Sequence, residues 1–251
     1  MRIVVLQNGD LRMRSAARGL AAYGYTATPW DGCGTPPVGD ALLLPIPSRS
    51  LREPLPMEYP LVIGGGIPRW ASLSWQSAGT KVYDLLCDPA FVEENARLTA
   101  EAALSLGMEA TGRSFLGLKV GVLGFGRIGS CLTRYLLSLG AEVTVLARRE
   151  GARLTAEELG ASTLPFEGLT HLPPLDLVYN TIPAPLLTEE MLSLWEEGVL
   201  VELASGEGNL PCSKYAKIRL IDGKNLPGRY LPVGAGLLIS HATHKYLTTK
   251  D

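Results

Sequence analysis

Three glycines in the run Lys119-Val-Gly-Val-Leu-Gly-Phe-Gly-Arg-Ile-Gly129 carry the clearest chemistry in this chain. Gly124, Gly126 and Gly129 have the G-x-G-x-x-G spacing of a turn that holds a dinucleotide pyrophosphate. Each glycine has its own task. Gly124 permits a tight turn, Gly126 lets the backbone approach the pyrophosphate, and Gly129 lets the following helix pack closely on the strand. Val120, Val122 and Leu123 before the turn read as a short strand. The helix predicted from Arg127 and Ile128 to Leu139 turns its positive N-terminal end toward the phosphates.

The next strand, Ala141–Leu146, ends where a dinucleotide site distinguishes its ligands. An acidic residue about 20 positions beyond the glycines bonds the ribose 2′-hydroxyl of NAD. Here that place is Ala147, followed by Arg148 and Arg149. A small uncharged residue leaves room for a 2′-phosphate, and two guanidinium groups can bind it with paired, charge-assisted hydrogen bonds. Glu150 competes for one of them. The pattern favours NADP(H) over NAD(H).

The elements around these motifs alternate strand and helix. In the first half, Ile3–Leu6, Tyr25–Pro29, Ala41–Pro45, Leu61–Ile63 and Lys81–Asp84 read as strands, with Leu11–Tyr23 as a helix. Residues 29–60 are dense in proline and glycine, so turns are expected there. Phe91–Leu106 is a long helical run that carries the chain to a second domain. After the glycine turn come a helix around Thr155–Leu159 and strands at Ser162–Pro165, Leu175–Tyr179, Leu200–Leu203 and Lys217–Ile221. A helix is expected at Glu189–Glu197, and Ala235–Leu247 closes the chain as another. The expected class is α/β, with two doubly wound parallel-sheet domains, the second a Rossmann dinucleotide-binding domain. The expected division is 1–90 for a flavodoxin- or Rossmann-like substrate domain, 91–112 for a connecting helix, 113–234 for the cofactor domain and 235–251 for a C-terminal helix. Ligands in such folds sit at the carboxyl ends of the strands, and with two domains the expected reaction site is the cleft between them.

Composition narrows the function. The 251 residues are 46% hydrophobic and 19% charged with net charge −2, which gives no reason to expect nucleic acid. No apolar run is long enough for a membrane span, and the start reads as a strand rather than a signal peptide. Cys33, Cys87, Cys131 and Cys212 form no C-x-x-C pair, so reduced thiols in a cytosol are expected. His171, His241 and His244 are the only histidines. His241 and His244 are spaced to share a helical face, but no acidic or thiol ligand accompanies them, so no metal site is expected.

A series of short motifs then falls into one order. It runs Asn8-Gly-Asp-Leu-Arg12, Leu44-Pro-Ile-Pro47, Asn95-Ala-Arg-Leu-Thr-Ala-Glu101, Val122-Leu-Gly-Phe-Gly-Arg-Ile-Gly129, Asn180-Thr-Ile-Pro183, Glu202-Leu-Ala-Ser205 and Leu226-Pro-Gly228. From about Ile3 to Gly236 this series resembles the A-chain family of dipicolinate synthase. The chain departs from it at Gly206, where the family usually has arginine, and at Val233, where lysine is frequent. It is also shorter than is usual for the family.

The resemblance implies NADP-dependent oxidation of dihydrodipicolinate, or 4-hydroxy-tetrahydrodipicolinate, to pyridine-2,6-dicarboxylate in the mother-cell cytoplasm of a sporulating bacterium. It implies a small dicarboxylate substrate and, for a partner, the flavoprotein-like B subunit of dipicolinate synthase. An apolar surface would then serve that partner or a homo-oligomer. A dicarboxylate needs arginines and other donors. Arg12 and Arg14, then Ser48, Arg49 and Ser50, then Gly64, Gly65, Gly66 and Arg69 follow successive strands and are the candidates, with Asn95 and Thr99 sharing a face of the connecting helix. Asn180, Thr181 and Pro183, with Ala204 and Ser205 at the next strand end, are expected near the nicotinamide ribose. No general acid or base is identified. Two other readings stay open: a D-2-hydroxyacid dehydrogenase-like enzyme, against which the Ser205–Gly206 segment speaks, and a non-catalytic NADP-binding regulatory subunit.

Overall fold

The computed structural model describes residues 1–48, 51, 55, 59–171, 174–184, 198–204 and 218–249. The chain divides into two compact units, Met1–Leu98 together with Pro227–Asp251, and Thr99–Leu226.

The first unit begins β1 (Arg2–Leu6), α1 (Leu11–Ala22), β2 (Thr26–Trp30), β3 (Ala41–Leu43), β4 (Leu61–Gly64), α2 (Arg69–Ser77) and β5 (Lys81–Asp84). Its strands are parallel in the order β2-β1-β3-β4-β5, the flavodoxin-like order. Parallel strands covered on both faces must be apolar throughout, and alternate residues of β1 feed two cores. Ile3 and Val5 pack with Met13, Ala16 and Leu20 of α1. Val4 and Leu6 pack on the other face with Leu42, Leu44, Val62 and Trp75. Asp10 starts α1 by accepting the Arg12 N–H at 2.9 Å, and Gly24, at φ 88°, ends it.

Helix α3 (Pro89–Thr111) crosses from the first unit's residues to the second's. The second unit continues β6 (Lys119–Leu123), α4 (Arg127–Ser138), β7 (Glu142–Leu146), α5 (Glu150–Glu158), β8 (Ser162–Leu164), β9 (Leu177–Asn180), β10 (Gly198–Glu202) and β11 (Ile218–Asp222). All its pairs are parallel, in the order β11-β10-β9-β6-β7-β8. The sheet grows one way from β6 through β7 and β8, then the other way through β9, β10 and β11. This is the Rossmann order, with its switch point between β6 and β9. The fully buried Tyr179 donates its hydroxyl to the Ala103 carbonyl of α3 at 2.9 Å. Gly107 makes room, since a side chain there would overlap the tyrosine oxygen.

Short α6 (Leu226–Tyr230) and α7 (Pro232–Thr248) end the described chain. Ile239 and Ala242 of α7 enter the core formed by β1 and α1. The two helices approach closely because Gly19 faces Ser240 and Gly236 faces the backbone of Arg12 and Ala16. A doubly wound α/β fold in each unit is as the sequence predicts.

Several boundaries differ. The helix expected at Phe91–Leu106 runs over Pro89–Thr111, and that expected at Thr155–Leu159 runs over Glu150–Glu158. Helix α2 is absent from the sequence reading. Its apolar residues do not share one face, since Ala71 and Trp75 are buried while Trp70 and Leu73 are exposed. The helix expected at Glu189–Glu197 lies outside the described residues.

Candidate functional site

At the switch point the three glycines do three separate things. Gly124 adopts φ 94° and donates its N–H to the Leu146 carbonyl at 2.8 Å. A side chain there would meet Thr181 Oγ1 at 2.6 Å and Ile182 Cγ1 at 2.8 Å. Gly129 lies under the turn, where a side chain would overlap the Gly124 carbonyl oxygen. Gly126 faces open space, with nothing within 4 Å of where a side chain would start. It precedes α4, whose N-terminus has no side-chain cap. Gly126 and Arg127 are exposed and Ile128 is half-buried. The arrangement is a cradle closed below and open above, and it fits a pyrophosphate on the helix N-terminus.

At the end of β7, Ala147 is buried and donates its N–H to the Leu164 carbonyl at 3.2 Å. Arg148 and Arg149 are exposed, and neither guanidinium bonds a described residue. Glu150 forms no ion pair with them. Arg153 of α5, unremarked in the sequence, donates Nη1 to the Ala147 carbonyl at 2.9 Å and the Arg148 carbonyl at 3.0 Å. It pins the turn that presents the other two arginines. Nothing in local spacing singles it out, because the link closes only when α5 folds back on the strand end.

Across the switch point, Asn180 and Glu202 are both fully buried. Asn180 Nδ2 donates to Glu202 Oε2 at 2.7 Å, and Asn180 Oδ1 accepts the Ile182 N–H at 3.1 Å. Glu202 Oε1 accepts the Ala204 N–H at 2.8 Å. Burial raises the Glu202 carboxyl above its ordinary pKa, against the pull of these two donors and of Lys224, with Asp222 adding to the rise. Thr181 places both N–H and hydroxyl on the Leu123 carbonyl, at 2.9 and 2.8 Å, beside the glycine turn. Pro183 is exposed and Ala204 buried. Ser205 and Gly206 lie outside the described residues. The strand-end segments thus bring Thr181 and Ile182 against Gly124. Asn180 turns its side chain inward rather than outward. Glu202 opens the Glu202-Leu-Ala-Ser205 motif, and its signal in the sequence is that a carboxylate inside Val199-Leu-Val-Glu-Leu203 is a charge a buried strand excludes unless it is bonded.

Several of the first unit's candidates, Arg12, Ser48 and the Gly65–Gly66 backbone, are bound up internally. Arg12 meets Asp10 through Nη2 at 2.6 Å and Nε at 3.0 Å, with both side chains about four-fifths covered. Gly228 stands beside that guanidinium, where a Cβ in its place would come within 3.1 Å of Nε. Ser48 is buried, donates Oγ to the Pro45 carbonyl at 2.6 Å, and exchanges backbone contact with Gly65, whose carbonyl accepts the Ser48 N–H at 2.6 Å. Asp84 accepts N–H groups of Gly66, Ile67 and Leu86, each at 2.9 Å. Arg14 and Arg69 are exposed, and neither guanidinium bonds a described residue. Asn95 is half-buried and Thr99 buried, one turn apart on α3. Arg49 and Ser50 lie outside the described residues. His241 and His244 each share a hydrogen bond through Nδ1, with Tyr23 at 3.0 Å and Tyr25 at 2.9 Å. Among the described residues no cluster of three metal-ligating side chains forms, and no helix is long and apolar enough to cross a membrane.

Residues 92–204 match the D-isomer specific 2-hydroxyacid dehydrogenase, NAD binding domain family. The dipicolinate synthase A chain of Bacillus subtilis (strain 168) is 32% identical over 160 residues, covering 61% of this chain and 53% of that protein. The matched stretch is thus about half the relative's length. The crystal structure of the dipicolinate synthase A chain from Bacillus halodurans superposes with TM-score 0.78 at 24% identity, covering 98% of this chain and 96% of that one. That of the Bacillus subtilis A chain superposes with TM-score 0.80 at 22% identity, covering 99% and 95%. The chain carries an NAD(P)-binding domain of the 2-hydroxyacid dehydrogenase type, and it resembles the A chain of dipicolinate synthase.

Proposed function

We propose that this protein is an NADP-dependent dehydrogenase of the dipicolinate synthase type. Dihydrodipicolinate gives up a hydride and a proton and becomes pyridine-2,6-dicarboxylate, while NADP⁺ becomes NADPH. From 4-hydroxy-tetrahydrodipicolinate, loss of water comes first. The observation that carries the reading is the open Gly126 cradle beside exposed Arg148 and Arg149, with a buried Ala147 where an NAD site has its acid.

The residues have distinct duties. Gly126, Arg127 and Ile128 offer the helix N-terminus to the pyrophosphate. Arg148 and Arg149 take the 2′-phosphate, held out by Arg153. Gly124 and Gly129 hold the turn, and Thr181, Pro183 and Ala204 border the nicotinamide ribose, with Asn180 bracing them from below. The nicotinamide supplies hydride acceptance. Aromatisation supplies driving force, so the chain's work is to orient the ring. In the first unit Arg12 is neutralised by Asp10, and carboxylate binding falls to the exposed Arg14 and Arg69. Ser48, Gly65, Asn95 and Thr99 shape the surroundings. The proposed partner is a flavoprotein-like B subunit.

A second reading draws on the same internal pairing. With Arg12 and the Gly66–Ile67 amides already bonded, the chain would bind NADP(H) without turning over substrate, in a regulatory role. The test is dipicolinate formation by the purified chain from freshly generated 4-hydroxy-tetrahydrodipicolinate, with NADP⁺ or NAD⁺, alone and with the flavoprotein partner. Nicotinamide-dependent product supports the enzyme. A folded chain that binds NADPH yet forms no product in any combination supports the regulatory reading.

A further inference from the structure

The buried Asn180–Glu202 pair forms a hydrogen-bond relay with a fixed polarity. Asn180 and Glu202 stand opposite each other in the β9–β10 register and have no solvent exposure. The relay has three donors, the Ala204 N–H, Asn180 Nδ2 and the Ile182 N–H, and each finds one acceptor. Residue 202 must therefore offer two acceptors, and residue 180 one donor and one acceptor. Turning the Asn180 amide over would set Nδ2 against the Ile182 N–H and Oδ1 against a carboxylate oxygen, so the relay fixes which way the amide points.

Its two ends hold the segments that leave β9 and β10. One end grips Ile182, next to Thr181, which is bonded to the Leu123 carbonyl just before Gly124. The other grips Ala204. The relay thus sets the rim of the switch point at the ends of β9 and β10, whereas Arg148 and Arg149 follow β7, on the other side of β6 in the sheet order.

We propose that Glu202 is a positioning residue for the nicotinamide half of the cofactor, acting directly on Ala204 and through Asn180 on Thr181–Pro183. This rests on the reading of the switch point as the cofactor site. Asn180 and Glu202 touch the cofactor only through the backbone they hold, and the adenosine half is bound without them.

The polarity supplies a test by exchange. In Glu202→Gln, residue 202 has one acceptor and one donor, so whichever way the two amides turn, one N–H loses its partner. The double variant Asn180→Asp with Glu202→Gln swaps the two groups between the strands. The carboxylate now at position 180 accepts from the Ile182 N–H and from the amide nitrogen at position 202, whose amide oxygen accepts the Ala204 N–H. Shape, hydrogen bonds and net charge are all restored. The full chain is titrated with NADPH by nicotinamide fluorescence and with adenosine 2′,5′-bisphosphate by calorimetry, with thermal melts alongside. E202Q is expected to weaken NADPH about tenfold while holding the bisphosphate within about twofold, and the double variant to recover NADPH affinity. NADPH binding unchanged in E202Q overturns the proposal, as does equal loss of both ligands that the double variant leaves unrepaired. Where E202Q does not fold, the double variant decides: native NADPH affinity supports the relay, and weak binding by a folded protein overturns it. A folded wild-type chain that binds neither ligand sinks the cofactor reading itself.

Discussion

Both units end their parallel strands in glycine-rich loops, yet the two sets of loops use their polar groups in opposite ways. In the first unit the Arg12 guanidinium and the amides around Gly66 are already engaged, and the guanidiniums left over, those of Arg14 and Arg69, stand on the helices α1 and α2. Asp10 takes the Arg12 guanidinium, and Asp84 takes three backbone N–H groups around Gly66. In the second, α4 begins without a side-chain cap, Gly126 faces open space, and the Arg148 and Arg149 guanidiniums bond no described residue. Ligand-binding capacity therefore depends on whether a donor has a partner within the fold, more than on whether the donor is present. An arginine paired at 2.6 Å has its charge balanced within the fold and offers a substrate only the N–H groups left over.

The sharpest way to test this contrast is within the glycine turn itself. Gly129→Ala places a methyl group on the Gly124 carbonyl, so stability should fall by about 3 kcal/mol in urea unfolding. Gly126→Ala meets open space, so stability should change by less than about 1 kcal/mol while NADPH binding weakens strongly. Equal stability losses would mean that the two glycines share one structural role.

Next in size is the first unit's acidic clamp. Asp84→Ala leaves three N–H groups without their acceptor and should cost about 2 kcal/mol, with NADPH affinity unchanged. A fall in NADPH affinity at unchanged stability would break the contrast between the units.

The smallest effect concerns acid. Burial by itself would raise the Asp176 carboxyl, but the Lys119 N–H and the Arg113 guanidinium outweigh it and hold the pKa below 3.8. Its stabilisation is complete above that ordinary value and is lost as pH falls through the depressed one. Asp176→Asn should therefore melt lower than wild type near neutral pH, and the gap should narrow below about pH 4. Glu202 has the opposite sign. Its raised pKa makes ionisation a cost that grows as pH climbs from the carboxylate's ordinary range through the raised value.

Much of the fold could be read from the sequence because parallel strands buried on both faces are continuous apolar runs, as in Val120–Leu123 and Ile3–Leu6. The glycine turn was legible because its spacing alone carries the signal, with the positive φ of Gly124 and the contact of Gly129 on the Gly124 carbonyl set within six residues and Gly126 left open. Helix α2 was missed because its apolar residues split between a buried pair, Ala71 and Trp75, and an exposed pair, Trp70 and Leu73, and so mark no single face. The Asn180–Glu202 relay and the Arg153 clamp were missed because their partners meet only through strand register and helix return. The expected substrate contact at Arg12 shows the same limit. Asp10 stands two residues away in the sequence, but only the N-cap geometry turns its carboxylate onto the guanidinium.

The most direct measurement is a parallel titration of the purified chain with NADPH and NADH, repeated on the Arg148→Ala, Arg149→Ala double variant. Saturable binding is expected, with NADPH the tighter ligand and a loss of about 10- to 100-fold for NADPH alone in the variant. A folded wild-type chain that binds NADH as tightly as NADPH, or neither, would refute the assignment of Arg148 and Arg149 to the 2′-phosphate.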